Sequence, residues 1–158
     1  MCDKEDICRM ISPTGGGIRN DAGGSGDWLA KREIYYPERK TYLHQGIDYG
    51  LIEGAGQIIV APGTGIIKRV AYPYQDTKDF GGCEFRVDGI WIKMFYFELY
   101  DTLVGQRVTM GQPIGIAQDI GQRYKGVSPH IHLEASVIGI KDYKIIRVKI
   151  NPEILMGK

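Results

Sequence analysis

The chain has 158 residues, of which 20 are basic and 19 acidic, giving a formal net charge of +1. This length fits one domain that buries a single core without disulfide bonds. A near-zero charge without a Lys/Arg cluster argues against a nucleic-acid partner. No apolar run approaches the roughly 20 residues that a helix needs to cross a bilayer. We therefore expect neither a nucleic-acid nor a membrane partner.

The N-terminal region predicts little regular structure. Its first residues are polar and acidic and contain no apolar stretch that could serve as a secretory signal. Residues 13–26 are dense in glycine, which favours an irregular loop. We therefore predict a Gly-rich leader and loop at residues 1–42 that packs on a domain at residues 43–158. The three cysteines, Cys2, Cys8 and Cys83, are an odd number without a C-x-x-C motif, and we expect free thiols.

From Leu43 onward, short β-prone runs separated by Gly and Pro predict a mainly β, antiparallel sandwich or barrel. The predicted strands are Gln57–Ala61, Gly65–Ala71, Glu84–Val87, Gly89–Leu99, Gln106–Val108, Pro113–Gln118, Pro129–Val137 and Tyr143–Ile150. Asp88-Gly89 has the composition of a two-residue hairpin turn. Only Gly26–Glu33 and Asn151–Met156 have the composition of short helices, the second with Asn-Pro at its start.

All three histidines of the chain lie in two short clusters, His44 with Asp48 and His130 with His132. In an extended strand, side chains two residues apart point to the same side, so each cluster would present its polar groups together. Gly46 leaves open space between an imidazole and a carboxylate. Two imidazoles and one carboxylate suit Zn²⁺, and three protein ligands leave a fourth position for water, as in catalytic zinc sites. The alternative is a structural zinc, which needs a fourth protein ligand, and Cys83 is the candidate from the middle of the chain.

The two histidines of the His-x-His cluster have different predicted roles. His132 can bind the metal while His130, about 6.5 Å further along the strand, faces the same cavity without binding it. Glu134 lies on the same face and could hydrogen-bond a zinc-binding histidine from behind, although a solvated edge glutamate is an equal alternative. Tyr49, just after Asp48, and Tyr124, before His130, are further candidates beside the site.

These motifs resemble those of the lysostaphin and LytM-type zinc endopeptidases, which cleave peptide crosslinks in bacterial peptidoglycan. The resemblance runs from about Leu43 to Glu134 in consistent order. It is carried by His44–Asp48, Val60–Pro62 with Gly65, Val104–Val108, Gly111–Gly115 and Ser128–Glu134, and Asn151-Pro152 is similar to the closing segment of the family. It implies a compact, lysostaphin-type antiparallel β-fold with a duplicated hybrid motif and few short helices. It also implies Zn²⁺ on His44, Asp48 and His132, His130 as a catalytic histidine, and Arg19 in a loop beside the groove.

One departure from the family pattern concerns catalysis. The family carries a second catalytic histidine in a Tyr-x-His-Leu phrase, and the matching stretch here is Tyr96-Phe97-Glu98-Leu99. Its neighbourhood is similar to the leukocyte cell-derived chemotaxin branch of the family, whose members keep the zinc ligands but act in signalling, and to some phage-borne relatives. If Glu98 shares a face with Tyr96, it can act as a general base and preserve hydrolysis. A carboxylate cannot donate a proton to an oxyanion, however, and Glu98 is alternatively an exposed strand residue.

The sequence therefore supports two functions. The first is a zinc metalloendopeptidase acting on peptidoglycan peptides, with His130 and Glu98 as catalytic residues and Tyr96, Glu134 and Arg19 around them. The second is a catalytically impaired zinc-binding module that recognises cell-wall peptide or a protein partner. Because peptidoglycan lies outside the cytoplasm and no signal sequence is evident, we expect delivery as a phage lysis or virion component, or as a secreted effector.

Overall fold

The computed structural model of the chain describes residues 10–34 and 40–157, so Cys2 and Cys8 lie outside the described residues. The strands are β1 (Asn20–Asp21), β2 (Gly24–Ser25), β3 (Lys31–Ile34), β4 (Lys40–Leu43), β5 (Ile47–Gly50), β6 (Ile58–Val60), β7 (Gly65–Ala71), β8 (Gly82–Val87), β9 (Ile90–Phe95), β10 (Phe97–Leu99), β11 (Arg107–Val108), β12 (Pro113–Ala117), β13 (His130–Lys141) and β14 (Lys144–Ile150). Short 3₁₀ helices occupy Asp101–Leu103, Ile120–Gln122 and Pro152–Met156. Within the described ranges, no helix is long and apolar enough to cross a membrane.

All strand pairs among these residues are antiparallel, which confirms the predicted mainly β fold class. The main sheet has seven strands in the order β11-β7-β8-β9-β13-β14, with β5 also paired to β13. A three-stranded sheet, β10-β12-β6, accompanies it. Fully buried apolar side chains between these strands, among them Ile47, Ile67, Phe85, Met94 and Leu133, form one core. Apolar burial of this kind is the main stabilising term for such a fold.

The β8–β9 hairpin turns at Asp88-Gly89 as predicted, with Asp88 at φ 51°. The predicted helix at Asn151–Met156 is a 3₁₀ helix in which the Asn151 side chain accepts a hydrogen bond from the backbone N–H of Glu153. The predicted helix at Gly26–Glu33 is wrong. Leu29 has a positive φ of 61°, and the chain continues into β3, which pairs with β4. Tertiary pairing therefore overrides the local composition at this point.

The central strand β13 brings distant parts of the chain together. One edge of β13 pairs with β9, while its other edge pairs first with β5 and then with β14. In this register His132 lies opposite Asp48 on β5. Residues 18 and 19 run alongside β5, since Ile18 bridges Tyr49 and the Arg19 N–H donates to the Asp48 carbonyl oxygen at 2.9 Å. The loop from the N-terminal region thus packs directly against the strand that carries Asp48.

Candidate metal centre

Three side chains predicted to bind zinc, His44, Asp48 and His132, meet at one point, and one ligand atom of each lies within 4.8 Å of the others. Asp48 Oδ1 is 2.8 Å from His132 Nδ1 and 3.1 Å from His44 Nε2, and the two ring nitrogens are 3.1 Å apart. A tetrahedral zinc with bonds of about 2.0–2.1 Å places its ligand atoms about 3.3 Å apart. The triangle is only slightly smaller than one face of that tetrahedron. The donor set and its spacing therefore fit Zn²⁺.

Each histidine of the triangle is oriented by a hydrogen bond on its other ring nitrogen. His44 Nδ1 lies 2.9 Å from the carbonyl oxygen of Asp27, which accepts its proton and leaves Nε2 facing Asp48. His132 Nε2 lies 3.0 Å from Glu134 Oε1. Contacts of this kind fix the ring orientation and strengthen a histidine as a metal ligand. Glu134 thus lies where the sequence placed it, behind His132, whereas Asp27 was not predicted because its contribution is a backbone oxygen.

The second oxygen of Asp48 is held by two arginines. Arg19 Nε and Nη2 are both 3.1 Å from Asp48 Oδ2, and Arg32 Nη2 is 3.4 Å from it. Arg19 is buried, and its Nη1 also donates to Asp21 at 2.7 Å. Arg19 therefore lies behind Asp48 and directs Oδ1 toward the histidines, a contact that local sequence pattern could not reveal.

The charges of this cluster shift the titration of its members. Burial opposes the ionised form of Asp48, but hydrogen bonds from His132 and His44 outweigh it and hold the pKa of Asp48 well below its usual range. Burial also opposes the imidazolium of His132, and hydrogen bonds with Asp48 and Glu134 overcome it, raising the pKa of His132 to about 9. Burial likewise opposes the ionised form of Glu134, but the hydrogen bond with His132 and the charges of His132 and Lys149 lower the pKa of Glu134 to about 2. Without metal, His132 is therefore protonated at neutral pH. A metal ion would have to displace this proton in order to bind.

His130 lies beside the triangle as a fourth group. Its Nδ1 donates to the carbonyl oxygen of Ser128 at 2.8 Å, so Nε2 faces the cluster, 3.6 Å from Asp48 Oδ1. Burial lowers the pKa of His130, which favours the neutral imidazole despite the nearby Asp48 carboxylate. A neutral ring with its Nε2 lone pair directed at the cluster has the arrangement of a general base.

Tyr96 lines the same cavity, and Glu98 is not among the residues that line it. The Tyr96 ring meets the His130 ring edge-on at 5.2 Å between centroids. Glu98 is exposed on β10, opposite Ile116. The expectation that the two side chains share a face assumed continuous strand alternation, but Tyr96 has a φ of 78° and interrupts the chain between β9 and β10. The structure therefore brings Tyr96 to His130 and does not bring Glu98 to the site.

The Tyr96 phenol is part of an aromatic wall. Its oxygen is 3.3 Å from the Tyr74 oxygen, and burial raises the pKa of Tyr96 to about 12, so it carries its proton at neutral pH. Tyr74 in turn contacts Tyr124 edge-on at 6.3 Å and has the Arg123 guanidinium over its ring at 3.8 Å. Tyr124 therefore lies at the cavity, as suspected. Tyr49 instead faces the core, where its phenol donates to Glu153 at 2.8 Å.

The cavity over the cluster is open and has a volume of about 730 Å³. Besides the metal-site residues, its lining includes Tyr42, Leu43, Tyr74, Tyr96, Tyr124 and Lys149. Gly46 lies against the His132 ring, where a Cβ would lie 2.7 Å from His132 Cε1 and 2.6 Å from the Leu133 carbonyl oxygen. Cys83 is buried in the core on β8 as a free thiol and is not part of the cluster. Among the described residues the cluster has three ligands, which is the catalytic pattern of zinc binding.

The chain has the lysostaphin-type β-fold of the M23 peptidases, which confirms at the level of the fold the resemblance seen in the sequence. The catalytic domain of the antimicrobial peptidase lysostaphin from Staphylococcus simulans superposes with a TM-score of 0.51 and 19% identity, covering 73% of this chain and 80% of that chain. A zinc-containing peptidase from Vibrio cholerae superposes with a TM-score of 0.57 and 20% identity, covering 88% of this chain and 39% of that one.

A curated protein is also similar in sequence. Leukocyte cell-derived chemotaxin-2 from Bos taurus is 30% identical over 101 residues, which are 63% of this chain and 64% of the bovine protein. The match thus spans less than two thirds of that protein. No family model matches the chain.

Proposed function

We propose that the protein is a zinc-dependent endopeptidase that hydrolyses peptide bonds of bacterial peptidoglycan. One observation carries this proposal: the triangle of His44, Asp48 and His132 lies at the floor of an open cavity, with His130 Nε2 directed at the same point. A purely structural zinc site would be closed by a fourth protein ligand. The peptidoglycan substrate and a site of action outside the cytoplasm follow from the family resemblance of the sequence motifs.

The roles of the individual side chains follow from their contacts. Zn²⁺ bound at this site would lower the pKa of a water molecule to near neutral and polarise the scissile carbonyl. His130 accepts a proton of the attacking water at Nε2, since its Nδ1 proton is donated to the Ser128 carbonyl oxygen. It then returns that proton to the leaving amine. Arg19 and Glu134 keep Asp48 and His132 in their orientations.

Tyr96 supplies the proton donor that the missing second histidine would provide. Its phenol is protonated at neutral pH, its ring contacts His130, and it lines the cavity. A neutral phenol can donate a hydrogen bond to the oxyanion of the tetrahedral intermediate, and loss of one such donor costs about 10²–10³ in kcat. Glu98 is no part of this arrangement, because its side chain is exposed outside the cavity.

The test is digestion of purified peptidoglycan, with hydrolysis measured as the release of new amino groups. The zinc-loaded native protein is expected to cleave, and Asp48→Ala is expected to lose both zinc and cleavage. His130→Ala should keep zinc and lose cleavage, because His130 lies beside the triangle and outside it. Glu98→Gln is the matched control and should leave the rate unchanged. Zinc binding without cleavage by the native protein would refute the proposed hydrolysis.

A second function, a zinc-binding recognition module, is favoured by a specific observation. Residues Tyr96–Leu99 match the Tyr-x-His-Leu motif of the family. In this chain they place a tyrosine, rather than a second imidazole, next to His130. The sequence similarity to the bovine chemotaxin agrees with this alternative. A module of this kind would sediment with insoluble peptidoglycan, or with a protein partner, in a zinc-dependent manner without releasing amino groups.

A further inference from the structure

The end of the β13–β14 hairpin lies outside the candidate metal centre and has an unusual surface. Beyond Ser136, β13 pairs with β14 alone, so Val137–Lys141 and Lys144–Val148 form a two-stranded ribbon. At about 3.4 Å per residue, its five-residue arm is roughly 17 Å long. Large apolar side chains become more exposed toward the turn: Ile138 is 55% exposed, Ile140 80%, Ile145 76% and Tyr143 fully exposed. Contiguous exposed apolar surface of this kind marks an interaction site.

Both faces of the ribbon carry apolar side chains, with Arg147 opposite Ile138 on one face and the Lys141–Lys144 pair on the other. Ile140 pairs with Ile145, and their side chains share one face with Ile138. The opposite face carries Ile146 and Val148, the latter 41% exposed. A protein groove would cover one face of a ribbon, whereas a lipid phase surrounds both faces. The distribution of apolar side chains therefore favours insertion into a lipid surface.

The charges next to the turn favour an anionic surface. Lys141 and Lys144 lie directly opposite each other in the register, and like charges in this position destabilise a strand pair. An external anion between them relieves that repulsion. Arg147 is paired with Glu84 at 3.2 Å, whereas Lys141 and Lys144 against Asp142 leave the tip of the ribbon cationic.

The turn itself holds the apolar tip in place. Asp142 and Tyr143 both have positive φ, 51° and 62°, which is the backbone of a tight two-residue hairpin turn. A left-handed conformation at a tyrosine is unfavourable, and the ring is fully exposed, so no packing within the described part of the chain offsets its cost. A tyrosine at the boundary of a bilayer, flanked by lysines at the level of the headgroups, does find a favourable environment.

We propose that the tip of the β13–β14 hairpin docks on an anionic lipid bilayer, with Ile140, Tyr143 and Ile145 in the interface and Lys141 and Lys144 at the phosphates. This contact does not span the membrane. The sequence contains no apolar run long enough for a membrane-spanning helix, and the expectation of no membrane partner was based on that. A hairpin tip can contact the bilayer surface without such a run. The proposal is independent of the proposed peptidase function.

The experiment is co-sedimentation of the full zinc-loaded chain with vesicles. Binding to an equal mixture of phosphatidylglycerol and phosphatidylcholine is expected to exceed binding to phosphatidylcholine alone by about tenfold, and to weaken with salt. The triple variant Ile140→Ser, Tyr143→Ser, Ile145→Ser should lose about tenfold or more on the mixed vesicles. Ile52→Ser, at a site 68% exposed in another part of the chain, is the matched control and should bind like the native protein.

A second variant separates the charge contribution. Lys141→Glu with Lys144→Glu removes the cationic pair, leaves every apolar side chain in place and should abolish the preference for phosphatidylglycerol. Unchanged zinc content in each variant shows that the domain remains folded. The proposal is overturned if the native protein stays in the supernatant with both vesicles or if the triple variant binds like the native protein. It is also overturned if the exposed side chains support a concentration-dependent dimer without vesicle binding.

Discussion

Zinc affinity is expected to depend steeply on pH, because the metal must displace a proton from His132. The pKa of His132 is raised to about 9 by Asp48 and Glu134 against the opposing effect of burial. At pH 7 only about one His132 in a hundred is then neutral, so the apparent dissociation constant for zinc falls about tenfold per pH unit. Between pH 7 and pH 9 the neutral fraction of His132 rises from about 1% to about half, so the expected gain in zinc affinity is about 50-fold, or about 2.3 kcal/mol.

The measurement is competition with a chelating indicator between pH 7 and pH 9, together with calorimetry in buffers of different ionisation enthalpy. Calorimetry should detect the release of about one proton per zinc at pH 7.5. Glu134→Gln removes one of the two carboxylates that face His132, so the affinity of this variant should depend less on pH. An affinity that does not change over this range, or zinc binding without proton release, would refute the argument that protonated His132 competes with the metal.

Three further predictions concern the surroundings of the metal. In zinc-free protein, the raised pKa of His132 stabilises the fold fully below pH 6.5, and this contribution is lost as the pH rises through about 9, so urea unfolding should show a loss of up to about 3 kcal/mol. Gly46→Ala should lower the free energy of unfolding by about 1–3 kcal/mol and weaken zinc binding, because its Cβ would lie 2.7 Å from His132 Cε1. The control Gly89→Ala, whose Cβ would have no atom within 4 Å, should leave the free energy of unfolding nearly unchanged in the same assay. Arg19→Ala should weaken zinc binding about 10- to 100-fold, because Asp48 loses the partner that orients it. Arg19→Lys should recover part of this loss. Unchanged zinc affinity in Arg19→Ala would contradict the role of Arg19.

The three candidate metal ligands could be predicted because they lie in two short segments whose residue spacing is itself informative. The spacing of His130 and His132 places two imidazoles on one face of a strand, and Gly46 between His44 and Asp48 leaves room for the His132 ring. The partners behind the ligands could not be predicted in the same way. Arg32 reaches Asp48 only because β3 pairs with β4, and Asp27 contributes a backbone oxygen.

The structure departs from the sequence-based predictions where the backbone adopts conformations that composition does not specify. Tyr96 adopts a positive φ, so the alternation that would place Glu98 at the cavity stops at that residue. The predicted strand after Pro129 ends at Val137, but in the structure it continues to Lys141 because Asp142 and Tyr143 take up the left-handed turn. Neither residue type indicates a positive φ as strongly as glycine does.

The register of β13 has a consequence for how the molecule folds. His130, His132 and Glu134 occupy alternate positions of this one strand, so a slip by a single residue would rotate all three away from Asp48 together. An ion that needs His132 and Asp48 side by side can therefore bind only the correctly aligned chain. Zinc present during refolding would stabilise that alignment alone, by mass action, so metal binding would favour the correct pairing of β13 with β5.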